Sequence, residues 1–321
     1  MKPNPEEALL SVLVPVYNEE ENVPLLGAEL ASVVKELKTP VEVVFIDDGS
    51  TDASYAEILK LVHGHEGFKA VRLGRNAGQT AALSAGIRHC SGELIACLDA
   101  DLQNDSRDIA LLLEKLGEGY DVVSGWRKDR KDPWLTRRLP SQLANALISW
   151  ITGVPLHDYG CTLKLYRAKY LKPVRLYGEM HRFVPAFAGF LGARIAEVCV
   201  NHRARARGRS KYGLSRTFKV LLDLLTVKFM DVYMAKPIYL FGGGGILMGF
   251  LGFCMAVVTL YKKLCLGIFV KDQPLFQVSI FFALVGGQLI LLGLLAEILV
   301  RVYFDIKDKP PYFVSETAGF N

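Results

Sequence analysis

Residues 94–103 read LIACLDADLQ, an apolar run, Leu94 to Leu98, that ends without a break in Asp99-Ala100-Asp101-Leu102-Gln103. A short apolar run with an abrupt polar end has the pattern of a strand buried on both faces. In open α/β sheets ligands bind beyond the carboxyl ends of such strands. The same ten residues therefore predict a layer of the fold and one wall of a site. Two carboxylates one residue apart on a turn can reach one hard cation. Mg2+ or Mn2+ prefers oxygen ligands and leaves positions open for phosphate. Gln103 adds a neutral oxygen to Asp99 and Asp101.

Other runs in the first 130 residues repeat the pattern. SVLVPVY (11–17), VEVVFI (41–46), KAVRL (69–73) and DVVS (121–124) read as further strands. Helical stretches lie between them, at 19–38, 52–63, 78–90 and 106–118. Strand and helix alternating in units of about 30 residues give a mostly parallel sheet covered on both faces. Polar clusters close several strands. The first ends in Pro15-Val16-Tyr17-Asn18-Glu19, the second in Asp47-Asp48-Gly49-Ser50, and the fifth runs into Trp126-Arg127. Asp47 and Asp48 can accept hydrogen bonds from a base and a ribose, and Tyr17 offers a ring to stack on. Together with the Asp99–Asp101 turn, these clusters would assemble a nucleoside-diphosphate site.

The composition changes at Lys236. No charge occurs from Pro237 to Tyr261 or from Gln273 to Ala296. Each stretch would be about 36 Å long as a helix, enough for a hydrocarbon core of about 30 Å. The short connection at 262–272 makes the pair a hairpin, with both flanks on one side. Lys and Arg favour the flanks over the connection, which puts the N-terminal domain in the cytoplasm of an integral inner-membrane protein. The expected organisation is a catalytic domain at 1–213, juxtamembrane amphipathic helices at 214–236, spans at 237–261 and 273–300 separated by an external loop at 262–272, and a cytoplasmic tail at 301–321. No signal peptide is expected at MKPNPEEALL. The six cysteines have no CxxC spacing and read as reduced thiols. A net charge of +5 fits a chain resting on an anionic leaflet.

A basic constellation precedes the spans. His181-Arg182-Phe183 is followed by a run from Asn201 to Tyr212 with four arginines and a lysine, including Arg203, Arg205 and Lys211 beside Ser210. Such a run also occurs in nucleic-acid patches. Its juxtamembrane position selects lipid phosphate instead, which arginine forks bind bidentately. No nucleic-acid partner is expected.

The ordered motifs PVYNE, IDDGSTD, LDADLQ, SGWR, DYGCTLKLY, MHRFVP and RARGRSKYGL, followed by a two-span hairpin, resemble the polyprenyl-phosphate glycosyltransferases of the inverting GT-A superfamily. That group includes dolichyl-phosphate mannose synthases, bactoprenol glucosyltransferases and undecaprenyl-phosphate formamido-arabinose transferases. The resemblance implies a GT-A fold and transfer of one sugar from a nucleotide-diphosphate sugar to a polyprenyl phosphate. UDP-glucose and undecaprenyl phosphate are the first expectation, with GDP-mannose or UDP-4-deoxy-4-formamido-L-arabinose as alternative donors. It implies nucleotide contacts at Pro15, Tyr17, Glu19 and Asp47, to which the strand-end reading adds Asp48 and Ala100. It also implies a metal between Asp99, Asp101 and Gln103, and phosphate contacts at Arg127, Arg205 and Lys211. Arg182, Arg203 and Ser210 complete the expected acceptor set. Asp158 is expected to position the acceptor rather than deprotonate it. Some relatives form tetramers, so the resemblance extends to a homo-oligomer. Where the family often carries Pro-Pro after DLQ and one further residue, this chain has Asp105-Ser106, expected to cap the next helix. A processive synthase is disfavoured by the missing Q-x-x-R-W motif, and a dehydrogenase by the missing glycine fingerprint. A nonenzymatic nucleotide-sugar-binding membrane adaptor is the alternative of another class.

Overall fold

The computed structural model describes residues 7–128, 139–174, 176, 180–203, 238–305 and 312–320. The chain divides into two units, residues 1–225 with 310–321, and residues 226–309.

In the first unit the expected alternation is present. Strands β1 (Leu10–Val16), β2 (Val41–Asp47), β3 (Phe68–Leu73), β4 (Leu94–Cys97) and β5 (Val122–Trp126) alternate with helices α1 (Val23–Glu36), α2 (Ser54–Gly64), α3 (Gln79–His89) and α4 (Ile109–Gly117). Helix α5 (Leu139–Thr152), β6 (Lys164–Arg167), α6 (Ala168–Leu171), α7 (Val184–Phe190) and β7 (Ile195–Cys199) follow, and β8 (Val314–Ala318) closes the sheet. The order is β7-β5-β6-β4-β1-β2-β3-β8. Only β6 and β8 run against the other strands.

The apolar strands form because both faces are covered. Leu10, Val12, Leu13, Val14 and Val16 of β1 are buried, as are Val43, Val44, Phe45 and Ile46 of β2. Each such side chain contributes about 1.5–3 kcal/mol relative to exposure. Helix α1 turns Val23, Leu26, Leu30 and Val33 inward at helical spacing. From β1 the chain builds outward through β2 to β3, then returns to place β4 on the other flank of β1. The β1/β4 boundary is thus a topological switch point, where the loops on either side diverge and leave a crevice.

Strand β8 lies within the tail expected at 301–321. Residues 314–318 pair antiparallel with β3, with Arg72 opposite Glu316. They cover an edge that would otherwise offer unpaired backbone groups.

The second unit is a helical hairpin, α8 (Ile238–Leu266) and α9 (Pro274–Asp305). Both helices are long and apolar enough to cross a membrane, with mean hydropathies of 2.0 and 2.3. Gly245 packs against Gly286: a Cβ on Gly245 would lie 2.6 Å from the Gly286 carbonyl oxygen, so the contact requires the small residue. Phe250, Phe253, Leu284 and Leu291 face outward and exposed, unlike the residues of a soluble core. The predicted juxtamembrane helices at 214–236 lie outside the described residues.

Candidate active site

A cleft of about 210 Å³ opens at the switch point, lined by Pro15 and Val16 at the end of β1 and Tyr17 and Glu19 after it, Asp48 after β2, Asn76, Gly78, Gln79 and Ala82 after β3, and Asp99, Ala100 and Asp101 after β4. Four successive parallel strands therefore contribute their carboxyl ends to one cavity.

Backbone–side-chain bonds hold the rim. Asn18 takes a left-handed conformation, φ +52°, and stitches the first loop to the second. Its N–H donates to Ser50 Oγ at 3.0 Å and its Oδ1 accepts from the Thr51 N–H at 2.9 Å. The Glu19 N–H donates to Ser54 Oγ at 2.8 Å. Gly49, φ +65°, lets the third loop pass close by, since a Cβ there would sit 2.5 Å from the Arg75 carbonyl carbon. Asp48 binds that third loop: its two oxygens accept the Ala77 and Gly78 N–H groups at 2.8 and 2.9 Å. Burial nonetheless holds its carboxyl above the usual range.

Asp47 sits behind the cleft rather than on its lining. It is fully buried, accepts from the Ser50 N–H at 3.2 Å, and lies 3.3 Å from Arg72 Nε. Burial raises its carboxyl despite these contacts. Arg72 in turn rests over the Tyr55 ring at 4.4 Å.

The Asp99–Asp101 turn is the electrostatic centre. Burial raises Asp99 to about 6, and repulsion from Asp101 adds to it. Gln79 Nε2 donates to Asp99 Oδ1 at 2.7 Å. Asp101 Oδ1 accepts the Gln103 N–H at 3.2 Å. Between them Leu102 is held at φ +60°, a conformation costing a residue with a Cβ about 1–2 kcal/mol. Two carboxylates and an amide on one turn, with their charges repelling, fit a hard divalent cation. Among the described residues no group of three or more Asp, Glu, His or Cys is gathered to hold a metal.

Arg127 and Asp158 meet across 31 residues of sequence in a buried bidentate pair. Arg127 Nε donates to Asp158 Oδ2 at 2.7 Å and Nη2 to Oδ1 at 3.0 Å, while the Gly160 N–H donates to Oδ1 at 3.1 Å. Although burial disfavours the Arg127 charge, the Asp158 hydrogen bonds and charge hold it strongly protonated. Lys164 lies in the same electrostatic environment. Burial lowers it to about 8, opposed mainly by Cys161 and Asp158, and its Nζ donates to the Tyr159 carbonyl at 3.0 Å.

The expected acceptor residues fall in different places. Arg182 is half-buried in a 3-10 turn, beside His181, whose Nδ1 is 2.7 Å from Thr80 Oγ1 on α3. Arg203 already has carboxylate partners: Nη1 contacts Glu29 at 2.7 Å and Nη2 contacts Asp105 at 2.5 Å. Its N–H also donates to the Gln103 carbonyl at 2.8 Å, tying this segment to the turn after β4. Asp105 caps the following 3-10 turn, as its sequence position suggests, and Ser106 binds Glu29. Arg205, Ser210 and Lys211 lie outside the described residues.

Sequence reasoning missed Asn76, Gly78, Gln79 and Ala82. The signal was available: β3 ends at Leu73, so its following loop must reach the same edge as the other strand ends.

The model for glycosyl transferase family 2 matches residues 11–190. The dodecaprenyl-phosphate galacturonate synthase of Rhizobium johnstonii is 45% identical over 96% of this chain and 92% of its own length. The undecaprenyl-phosphate 4-deoxy-4-formamido-L-arabinose transferase of Pseudomonas aeruginosa is 39% identical over 99% and 92%. Among solved structures, glucosyl-3-phosphoglycerate synthase from Mycobacterium tuberculosis, crystallised with Mn2+ and UDP, aligns with a TM-score of 0.54 at 18% identity, over 69% of this chain and 80% of that one. Mannosyl-3-phosphoglycerate synthase from Rubrobacter xylanophilus gives 0.54 at 14% identity, over 70% and 74%. These two establish likeness of fold, the GT-A arrangement.

Proposed function

The chain belongs to glycosyl transferase family 2, and we propose that it transfers one sugar, with inversion, from a nucleoside diphosphate to the phosphate of a polyprenyl lipid. The observation that carries this reading is the switch-point cleft, in which Tyr17 and Asp48 share a cavity with the Asp99–Asp101 turn. Both lipid-phosphate relatives match nearly the whole chain, hairpin included. Their sugars are galacturonate and formamido-arabinose, so glucose, the first expectation from sequence, gives way. UDP-galacturonate is the donor we favour, on the higher identity, and the formamido-arabinose nucleotide is the second reading.

Asp99 and Asp101, with Gln103 on the same turn, would hold Mg2+ or Mn2+, which when bound offsets charge on a leaving diphosphate. Tyr17 gives the base a stacking face, and Asp48 fixes the rim it rests on. Arg127 keeps a permanent positive charge close to Asp99 for the phosphates. The attacking lipid phosphate has a second pKa near 6 and is largely ionised at pH 7 without a base. Asp158, occupied by Arg127 and the Gly160 N–H, positions rather than deprotonates. The excess of Lys and Arg on the hairpin's flanks supports a cytoplasmic site.

The test is nucleotide release by the detergent-purified full chain, with Mn2+ or Mg2+ and undecaprenyl phosphate. UDP-galacturonate, the UDP-formamido sugar, UDP-glucose and GDP-mannose are supplied in separate reactions, with Asp101→Ala as blank. Lipid-dependent release from UDP-galacturonate supports the proposal. Release indifferent to lipid overturns the acceptor. Nucleotide binding with no release from any donor favours the adaptor.

A further inference from the structure

Strand β7 forms one edge of the sheet, and Glu197 sits at its centre, opposite Ser124 of β5. A charge on an edge strand ordinarily faces water and blocks pairing with another chain. Glu197 does not: only 11% of its side chain is exposed, and among the described residues no Lys or Arg neutralises it. Two consecutive loop residues take up its carboxylate instead. The His157 N–H donates to Oε1 at 2.8 Å and to Oε2 at 3.0 Å, and the Asp158 N–H donates to Oε1 at 3.2 Å. His157 Nδ1 lies 2.8 Å from Oε2, and since a carboxylate only accepts, that nitrogen carries the proton. An ionised carboxylate is costly to bury unless its oxygens are bonded. Here every bond it accepts from the described residues comes from 157 and 158.

Those two residues lead directly to the Arg127–Asp158 pair. Trp126 stacks on His157, with ring centroids 4.3 Å apart and planes 16° from parallel, and the next residue on each side forms the ion pair. Two consecutive positions at the end of β5 are thus matched to two on the loop before β6, ring on ring and charge on charge. The His157 peptide is fixed at both ends, its N–H by Glu197 and its carbonyl by Asn145 Nδ2 at 2.7 Å. Glu197 binds the backbone of both loop residues and the ring of one.

We infer that Glu197 is a positioning residue for the Arg127–Asp158 pair, fixing from the sheet edge the place of the Asp158 carboxylate and, through it, of the Arg127 charge. The coupling itself needs no assumption about the reaction, while its effect on turnover rests on the transfer proposed above.

The full chain in detergent is compared with Glu197→Gln, a change of nearly equal shape that leaves one accepting oxygen in place of two. Phenylglyoxal modification is followed at each arginine by mass spectrometry. It should rise at Arg127 at least about fivefold, the change in open population that one lost hydrogen bond gives, and stay level at the exposed Arg107. A rise at both sites, which reports general loosening, or at neither overturns the inference. This readout needs no turnover, so it decides the positioning role even where every donor fails in the transfer assay. Turnover should fall about 10- to 100-fold, as for a displacement of up to about 1 Å. In the Asp158→Asn chain the same change should cost less than about threefold, because the pair that Glu197 positions is already broken. Losses that multiply would show Glu197 acting apart from Asp158 and would overturn the inference. Glu197→Asp keeps the charge but shortens the reach by one methylene. It should reproduce both effects at smaller amplitude, and it takes the place of the Gln variant where that chain does not fold.

Discussion

Replacing Asp158 by Asn removes one charge and almost no volume from a buried carboxylate paired to Arg127 through both oxygens. Asp158 is 3% exposed and Arg127 keeps only 12% of its side-chain surface. Removing one partner of a buried ion pair costs about 3–5 kcal/mol, because the other charge is left desolvated and unpaired. The lower end, about 3 kcal/mol, applies here, since Asp99 still acts on Arg127 and the new amide oxygen can accept from Gly160. At about 2–4 °C per kcal/mol for a domain of this size, the midpoint should fall by about 6–12 °C. Once unpaired, Arg127 is free to shift, and a displacement of about 1 Å lowers turnover about 100-fold. The assays are thermal unfolding in detergent and nucleotide release across pH 5–9. In a positioning role the variant keeps residual activity and the acid limb near pH 6, which belongs to the acceptor phosphate. Complete loss of turnover with an unchanged midpoint and intact substrate binding, mimicked by acidifying the wild type, would refute this reasoning and make Asp158 the base.

Three further outcomes follow from the geometry. Asp101→Ala should lower metal-dependent release by about 100- to 1000-fold, the loss of about 3–4 kcal/mol of charge stabilisation, and should weaken Mn2+ binding read by calorimetry without substrate. Lys164 has a folded pKa of about 8 against an ordinary 10.5, so the unfolded chain holds more protons between those values and stability should rise with pH across that window. Lys164→Met should flatten this slope in denaturant titrations, and an unchanged slope would contradict the burial argument. Arg203→Ala, which breaks the contacts to Glu29 and Asp105, should raise the Mn2+ concentration for half-maximal activity about threefold or more while the donor KM stays fixed.

Wherever local pattern and global position coincide, the sequence is legible. β1 to β5 could be read because strands buried on both faces must be continuously apolar, and the acidic ends of β2 and β4 because polar residues there interrupt that rule. Strand β6 (KLYR) is short and carries charge, and β8 (VSETA) follows a membrane hairpin to reach a partner some 240 residues earlier. No period within either stretch announces its pairing. The same holds inside the site. Arg127 and Asp158 were each visible as candidates, but their mutual pairing was not. Glu29, 174 residues from Arg203, gave no sign that it would take one of the arginines assigned to lipid phosphate.

That pairing bears on how the Asp99–Asp101 turn keeps its shape. Leu102 is held in a left-handed conformation that a leucine enters only under constraint. The constraint can be traced. Leu102 is itself buried in the core, which anchors the middle of the turn. On the downstream side, the Arg203 N–H donates to the Gln103 carbonyl, Asn104 bridges to His202, and Asn201 donates twice to Asp108. The Glu29–Arg203–Asp105 cluster then locks this second segment to α1 and to the 3-10 turn. A strain of about 1–2 kcal/mol persists because several bonds, each worth about 1 kcal/mol, would have to break to release it. An Asp-X-Asp turn free to relax would let its repelling carboxylates swing apart. One stitched to a second segment is held in place, and the described contacts of Arg203, to Glu29, Asp105 and the Gln103 carbonyl, are part of that stitching.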